Sequence, residues 1–159
     1  MDKLLTLLEK NARFTNAELA TMLNVSEEAV ASQIKELENQ GVIKGYKPLV
    51  DWDKIANDRV TAMIELKVTP QRDAGFEEIA ETIMEMEEVE SVYLMSGGYD
   101  LSVLVRGRTF QEVAMFVAKR LAPMKNVLST ATHFVLRRYK DMGVELADKK
   151  LDDRGTISL

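Results

Sequence analysis

The sequence predicts an α+β chain: a cluster of three helices followed by a βαββαβ unit. Up to Tyr46, apolar residues recur at helical spacing; beyond it, alternating strands are interleaved with two amphipathic helices. The length of 159 residues, with 46% hydrophobic and 30% charged residues, allows two small cores and argues against a disordered or fibrous chain.

The first helix is predicted over roughly 2–11, with Leu4, Leu5 and Leu8 on one face. Phe14-Thr15-Asn16 offers a cap for a second helix holding Glu18, Leu19, Ala20 and Leu23. Asn24 follows, a residue at ease in a left-handed turn. Ser26 suits the N-cap of a third helix, with Glu27 and Glu28 set against the positive end of its dipole. Val30, Ile34 and Leu37 form the buried stripe of that helix, and Gly41 stops it. Small Ala20 permits a close helix crossing, and the short Asn24-Val25 turn leads into a helix whose exposed side suits a DNA major groove. This is helix-turn-helix spacing. A plain three-helix bundle that binds another protein would show the same pattern.

In the second unit, Val60, Ala62, Ile64, Leu66 and Val68 alternate with Thr61, Met63, Glu65 and Lys67, a half-buried strand that Pro70 ends. A helix is expected from Asp73 to Glu88, with Phe76, Ile79, Ala80 and Ile83 inward and glutamates in solvent. Two short strands, 89–96 and 100–106, flank Gly97-Gly98-Tyr99. Thr109 caps a second helix with Phe110, Val113, Ala114, Val117 and Leu121 inward. Pro123 closes it, and a strand from Val127 to Tyr139 completes a ferredoxin-like unit.

Both helices of such a unit cover one sheet face. Val92, Leu94, Leu101, Val103 and Val105 are expected beneath them, leaving Met63, Tyr93, Met95 and Leu104 beside Ser91 and Ser102 on the bare face. A monomer rarely exposes so many large apolar groups, so dimerisation through the sheet is expected.

Composition narrows the chemistry. With no Cys there is no disulfide, thiolate metal site or cysteine nucleophile, and one His, His133, precludes a histidine-rich metal centre. No nucleophile–base pair or phosphate loop is apparent, so neither an enzyme nor a cofactor is expected. No apolar run is long enough for a membrane span, and the N-terminus lacks the form of a secretory signal, so a cytoplasmic chain without membrane partners is expected. The net charge is −5, and residues 1–46 hold five basic residues (Lys3, Lys10, Arg13, Lys35 and Lys44) against seven acids. DNA binding must therefore rest on where charges sit.

Three stretches together resemble the Lrp/AsnC (feast/famine) family of transcription regulators. They are Asn11-Ala12-Arg13-Phe14-Thr15-Asn16-Ala17-Glu18-Leu19-Ala20, the run from Val25-Ser26 through Ile34-Lys35-Glu36-Leu37-Glu38-Asn39-Gln40-Gly41-Val42-Ile43-Lys44-Gly45-Tyr46, and Val92-Tyr93-Leu94-Met95-Ser96-Gly97-Gly98-Tyr99-Asp100-Leu101 with its Gly-x-x-Asp turn. The resemblance spans roughly 2–140. It implies a winged-helix-like DNA-binding domain over 1–45, a hinge strand or linker over 46–58, an ACT-like sensor and dimerisation domain over 59–140, and a tail over 141–159. It also implies double-stranded DNA as partner, an amino acid as effector, and homodimers that assemble further, up to octamers.

On the third helix, Gln33 suits a bidentate contact to adenine and Ser32 a base edge or phosphate. Lys35 and the backbone amides at the helix start by Ser26 suit phosphates. Arg13, Lys44 and Lys47 are either phosphate clamps or ordinary solvated charges. Many family members carry arginines where this chain has Ser32-Gln33, and this helix opens on two glutamates. Weak DNA binding per subunit is therefore expected, with affinity recovered by multivalent display. The rival reading is an effector-sensing oligomer whose first domain binds a protein instead.

For the effector, Ser96-Gly97-Gly98-Tyr99-Asp100 is the candidate. The two glycines would expose backbone N–H groups and take positive φ around a carboxylate, Asp100 would take the α-ammonium, and Tyr99 would wall the side chain. A plain hairpin turn fits the same residues. Thr130 and Thr132, on one face of the last strand, would add hydroxyls, and His133, on the opposite face, is expected to be structural. Residues 141–159 are either a disordered tail or an extra contact.

Overall fold

The computed structural model describes residues 2–55, 59–69 and 75–146. The chain divides into two compact units, Met1–Leu49 and Val50–Leu159.

The first unit is built from α1 (Asp2–Lys10), α2 (Asn16–Leu23) and α3 (Glu27–Asn39). Thr15 starts α2 with a full capping box: its Oγ1 accepts from Glu18 N at 3.2 Å, and its N–H donates to Glu18 Oε2 at 2.7 Å. Asn24 ends α2 in the left-handed conformation, φ 56°. Ser26 caps α3 by accepting from Ala29 N at 3.1 Å. Leu4, Leu8, Leu19, Ala20, Val30 and Leu37 form the core, with Phe14, Leu23 and Ile34 packed at its margin. Gly41 turns the chain out of α3 at φ +68°, so that Val42 N reaches Leu37 O at 2.9 Å.

The expected hinge strand over 46–58 does not form in the described part of that segment. Residues 44–51 run without a ladder partner, and Trp52–Lys54 make a 3-10 turn. A strand needs a row of paired backbone groups, and Pro48 has no N–H to give. Residues 56–58 lie outside the described residues.

The second unit holds β1 (Val60–Val68), α4 (Glu77–Met84), β2 (Val89–Leu94), β3 (Leu101–Gly107), α5 (Phe110–Phe116) and β4 (Val127–Phe134), with a π-helical turn, Val117–Leu121, continuing α5. The sheet order is β2-β3-β1-β4, antiparallel throughout, as a βαββαβ unit requires. Ile64 faces Val103 and Thr132, and Leu66 faces Leu101 and Thr130. Ala62, Ile64, Leu66, Leu101, Val103 and Val105 are fully buried against Ile79, Ile83, Val113, Phe116, Val117 and Leu121. The predicted start of the first of these helices at Asp73, and Pro70 before it, lie outside the described residues.

Several local expectations are corrected. The last strand ends at Phe134, not Tyr139: past the Ala62–Phe134 pair, Val135 N still reaches Thr61 O at 2.9 Å, and β1 itself starts one residue earlier, at Val60. Phe110 is 55% exposed and Ala114 is exposed, while Phe116 is buried. Wider winding after Phe116 brings Phe116, Val117 and Leu121 onto the sheet, and Phe110 meets Phe134 edge-on at 4.8 Å. Leu94 shares its face with Leu101 but is 63% exposed, at the last residue of the edge strand β2, whose Val89 and Val92 pack against the core.

The opposite sheet face carries Met63, Tyr93, Met95 and the half-buried Leu104, as expected. Ser102 on that face is buried between Glu65 and Tyr93. His133 lies beside them and meets Glu65 Oε2 through Nε2 at 3.0 Å. The start of the predicted tail is ordered: β5 (Lys140–Asp141) and β6 (Val144–Glu145) pair around Met142 and Gly143, both at positive φ as a two-residue hairpin demands. Residues 147–159 lie outside the described residues.

Candidate functional site

In the first unit, burial of Val30 and Leu37 turns the other side of α3 outward. Ser32 and Lys35 are exposed there with Glu28, and Gln33 is half-buried at the edge. Arg13, Ser26, Lys44 and Lys47 are also exposed. Lys44 lies back over Gly41 just past the C-terminus of α3, where a cation is favoured by the helix dipole.

The start of α3 differs from a simple phosphate cradle. Glu28 is held below the usual carboxylate range by its own backbone N–H and by the Ser26 hydroxyl. A carboxylate therefore occupies the electropositive helix start that a DNA phosphate would seek. Ser26 is engaged in the cap, and Ser32, Gln33 and Lys35 form the outward row left for contacts.

In the second unit, the loop Ser96–Asp100 closes between β2 and β3, with Met95 N donating to Asp100 O at 2.8 Å. Asp100 is bound into the sheet. Its N–H donates to Leu66 O at 2.9 Å, and its Oδ2 accepts from Val68 N at 2.9 Å. Thus the carboxylate completes the end of β1 where β3 has run out. Lys67, which sequence reasoning passed over, donates to Gly98 O at 3.2 Å and stands 3.9 Å from Asp100 Oδ2. Alternation marked Lys67 only as a solvent-facing strand residue; its reach to a loop some thirty residues on is a tertiary fact.

Gly97 and Gly98 correct the expectation of positive φ, since neither is among the residues in that conformation. Both are exposed, and a Cβ added at either would meet nothing within 4 Å, so their backbone is open to a ligand without strain. Tyr99 is half-buried beside Asp100, whereas Ser96 is exposed. Thr130 and Thr132 lie on the helix-covered side, half-buried, opposite Leu66 and Ile64. Register brings Thr130 to the same end of the sheet as Asp100, and Thr132 one pair further off. Among the described residues no cluster of His, Asp or Glu could hold a metal, and no helix is long and apolar enough to cross a membrane.

A helix-turn-helix unit joined to a ferredoxin-like ligand-binding domain defines a ligand-responsive transcriptional regulator. Residues 3–44 match the winged helix-turn-helix DNA-binding model and residues 61–145 the Lrp/AsnC ligand binding domain. The chain belongs to the Lrp/AsnC family of transcription regulators, and the protein-binding alternative for its first domain finds no support. It is 45% identical to YugG, an uncharacterized HTH-type transcriptional regulator of Bacillus subtilis, over 98% of this chain and 95% of that one. LysM, an HTH-type transcriptional regulator of Sulfurisphaera tokodaii, is 33% identical over 85% of this chain and 91% of its own. Among solved structures, the Neisseria meningitidis transcriptional regulator NMB0573 in complex with L-Met superposes with a TM-score of 0.72 at 26% identity, covering 91% of this chain and 93% of that one.

Proposed function

We propose that this regulator is a cytoplasmic homo-oligomer without enzymatic activity, whose grip on double-stranded DNA responds to an amino acid seated at Ser96–Asp100. The observation that carries this reading is the anchored Asp100. One carboxylate oxygen is tied to Val68 N, and no described donor takes Oδ1, which is left for an α-ammonium beside the open Gly97-Gly98 backbone. The methionine held by the Neisseria relative supports an amino acid as the ligand class. Ser96, Tyr99, Thr130 and Thr132 are assigned to the same site.

Residues 1–45 serve as the DNA-binding domain, 46–58 as the linker and 59–140 as the sensing and dimerisation domain. Arg13, Ser26, Ser32, Gln33, Lys35, Lys44 and Lys47 are assigned to DNA. The bare sheet face, with Met63 at 44% and Tyr93 at 56% exposure, supports dimerisation. An effector that binds one oligomeric arrangement better than another shifts the equilibrium by that difference in affinity.

Fluorescence anisotropy on the protein's own promoter DNA tests the reading, at several salt concentrations, with and without pooled amino acids. Binding that weakens steeply with salt and shifts with the pool is expected. Binding indifferent to every amino acid would overturn the effector assignment.

A further inference from the structure

Within the second unit, a cavity of about 260 Å³ opens where the start of β1, the chain just past β4 and the first turn of α5 meet. Four arginines are among its lining residues, Arg59, Arg106, Arg137 and Arg138, together with Trp52 and Phe110. None of these residues belongs to the Ser96–Asp100 loop.

Two of the four arginines are matched by acids. Arg106 meets Glu90 at 2.5 Å, and Arg138 meets Asp141 at 3.4 Å. The other two rest on aromatic rings: Arg59 Cζ lies 3.4 Å from the centre of Trp52, and Arg137 Cζ lies 5.1 Å from that of Tyr139. Neither has a carboxylate partner among the described residues. Asp53 is the acid among the residues of the cavity wall, so among the described residues the four cations face three carboxylates, Asp53, Glu90 and Asp141.

A surplus of one positive charge suits a monoanion. A guanidinium held against a ring and not by a carboxylate keeps N–H donors free, in the fork that a carboxylate accepts with both oxygens. Val60 and Val135 add apolar wall for a short hydrocarbon body. An amino acid would carry an ammonium into a site that already holds four cations, and this penalises it against the same skeleton without the amine.

We propose that this cavity binds a small aliphatic carboxylic acid lacking an amino group, through Arg59 and Arg137 with the body of the acid against Phe110. The ligand class is separate from the amino acid assigned to Asp100, and the site operates whether or not that assignment holds.

Trp52 is the chain's one tryptophan, so its emission reports directly on the cavity. The full-length protein is titrated with 4-methyl-2-oxopentanoate and, in parallel, with L-leucine, which has the same carbon skeleton. A saturable change with the oxo acid is expected, with leucine at least about tenfold weaker, one charge-assisted contact in binding terms. Arg137→Gln leaves the Arg59–Trp52 stack untouched and is expected to weaken the oxo acid about tenfold. Asp100→Asn is expected to change nothing in this titration. No saturable response, an equal response to leucine, or an unchanged Arg137→Gln titration would overturn the proposal. So would a lower salt dependence of DNA binding in Arg59→Gln/Arg137→Gln, which would assign these arginines to DNA phosphates.

Discussion

Asp100 holds Val68 N and is proposed to take the effector's ammonium, and substitutions can separate the two roles. Asp100→Ala removes the acceptor of the buried Val68 N–H and should cost about 1–3 kcal/mol of stability as well as the effector response. Asp100→Asn keeps an oxygen for Val68 but loses the charge. It should stay folded, by thermal melting, while the amino-acid shift in DNA anisotropy disappears; a retained shift would remove Asp100 from the ammonium site. Glu28 makes the opposite case: its carboxylate, held by its own backbone N–H and Ser26, would compete with a DNA phosphate placed at the start of α3. Glu28→Gln should tighten DNA binding up to about fivefold and steepen its salt dependence, the effect of removing one dipole-placed charge. Equal affinity in the two proteins would mean that DNA does not approach this helix start.

Helix starts also set the acid response. Glu18, Glu28 and Glu112 sit below the ordinary glutamate value of 4.5, each chiefly through a backbone N–H: that of Thr15, its own, and that of Arg108. A carboxyl with a lower pKa folded than unfolded stabilises the fold fully above the unfolded value and loses that contribution as pH falls through the folded one. Denaturant midpoints should therefore fall below about pH 4.5, and fall less when all three are glutamine. Thr15→Ala should cost about 1 kcal/mol by breaking the capping box. At the join of β3 and α5, a Cβ on Gly107 would lie 2.8 Å from Val113 Cγ2. Val113 is buried and stiff at χ1, so Gly107→Ala should cost about 1–3 kcal/mol, read from urea unfolding.

At the scale of the whole molecule, the proposed dimer is tested on the sheet face that no helix covers. Met63, Tyr93 and Leu104 form an apolar patch there, and the Glu65–His133 pair sits at its border. Tyr93→Lys places a charge on this patch and should yield a monomer by sedimentation. DNA affinity should fall with it, since a module with more acids than bases gains most from display in several copies. A monomeric variant that kept full affinity would show that one copy of α3 suffices.

Legibility in the sequence followed the range of the interactions. Thr15, Asn24, Ser26 and Thr109 could be read as caps and turns because each acts on backbone within a few residues of itself. The strict alternation of 60–68 announced its buried and bare faces for the same reason: a strand's two sides are set by chain geometry. Asp100 was visible as a residue, but its bond to Val68 and the approach of Lys67 were not, because a ladder partner is chosen by register across more than thirty residues. The exposure of Phe110 and Leu94 escaped for a related reason: pattern tells which side a residue faces, not whether a neighbouring element is long enough to cover it. Local periodicity and capping thus determined the two units and their order. Packing decided which polar groups meet, because contacts between distant parts of the chain exist only once the sheet has closed.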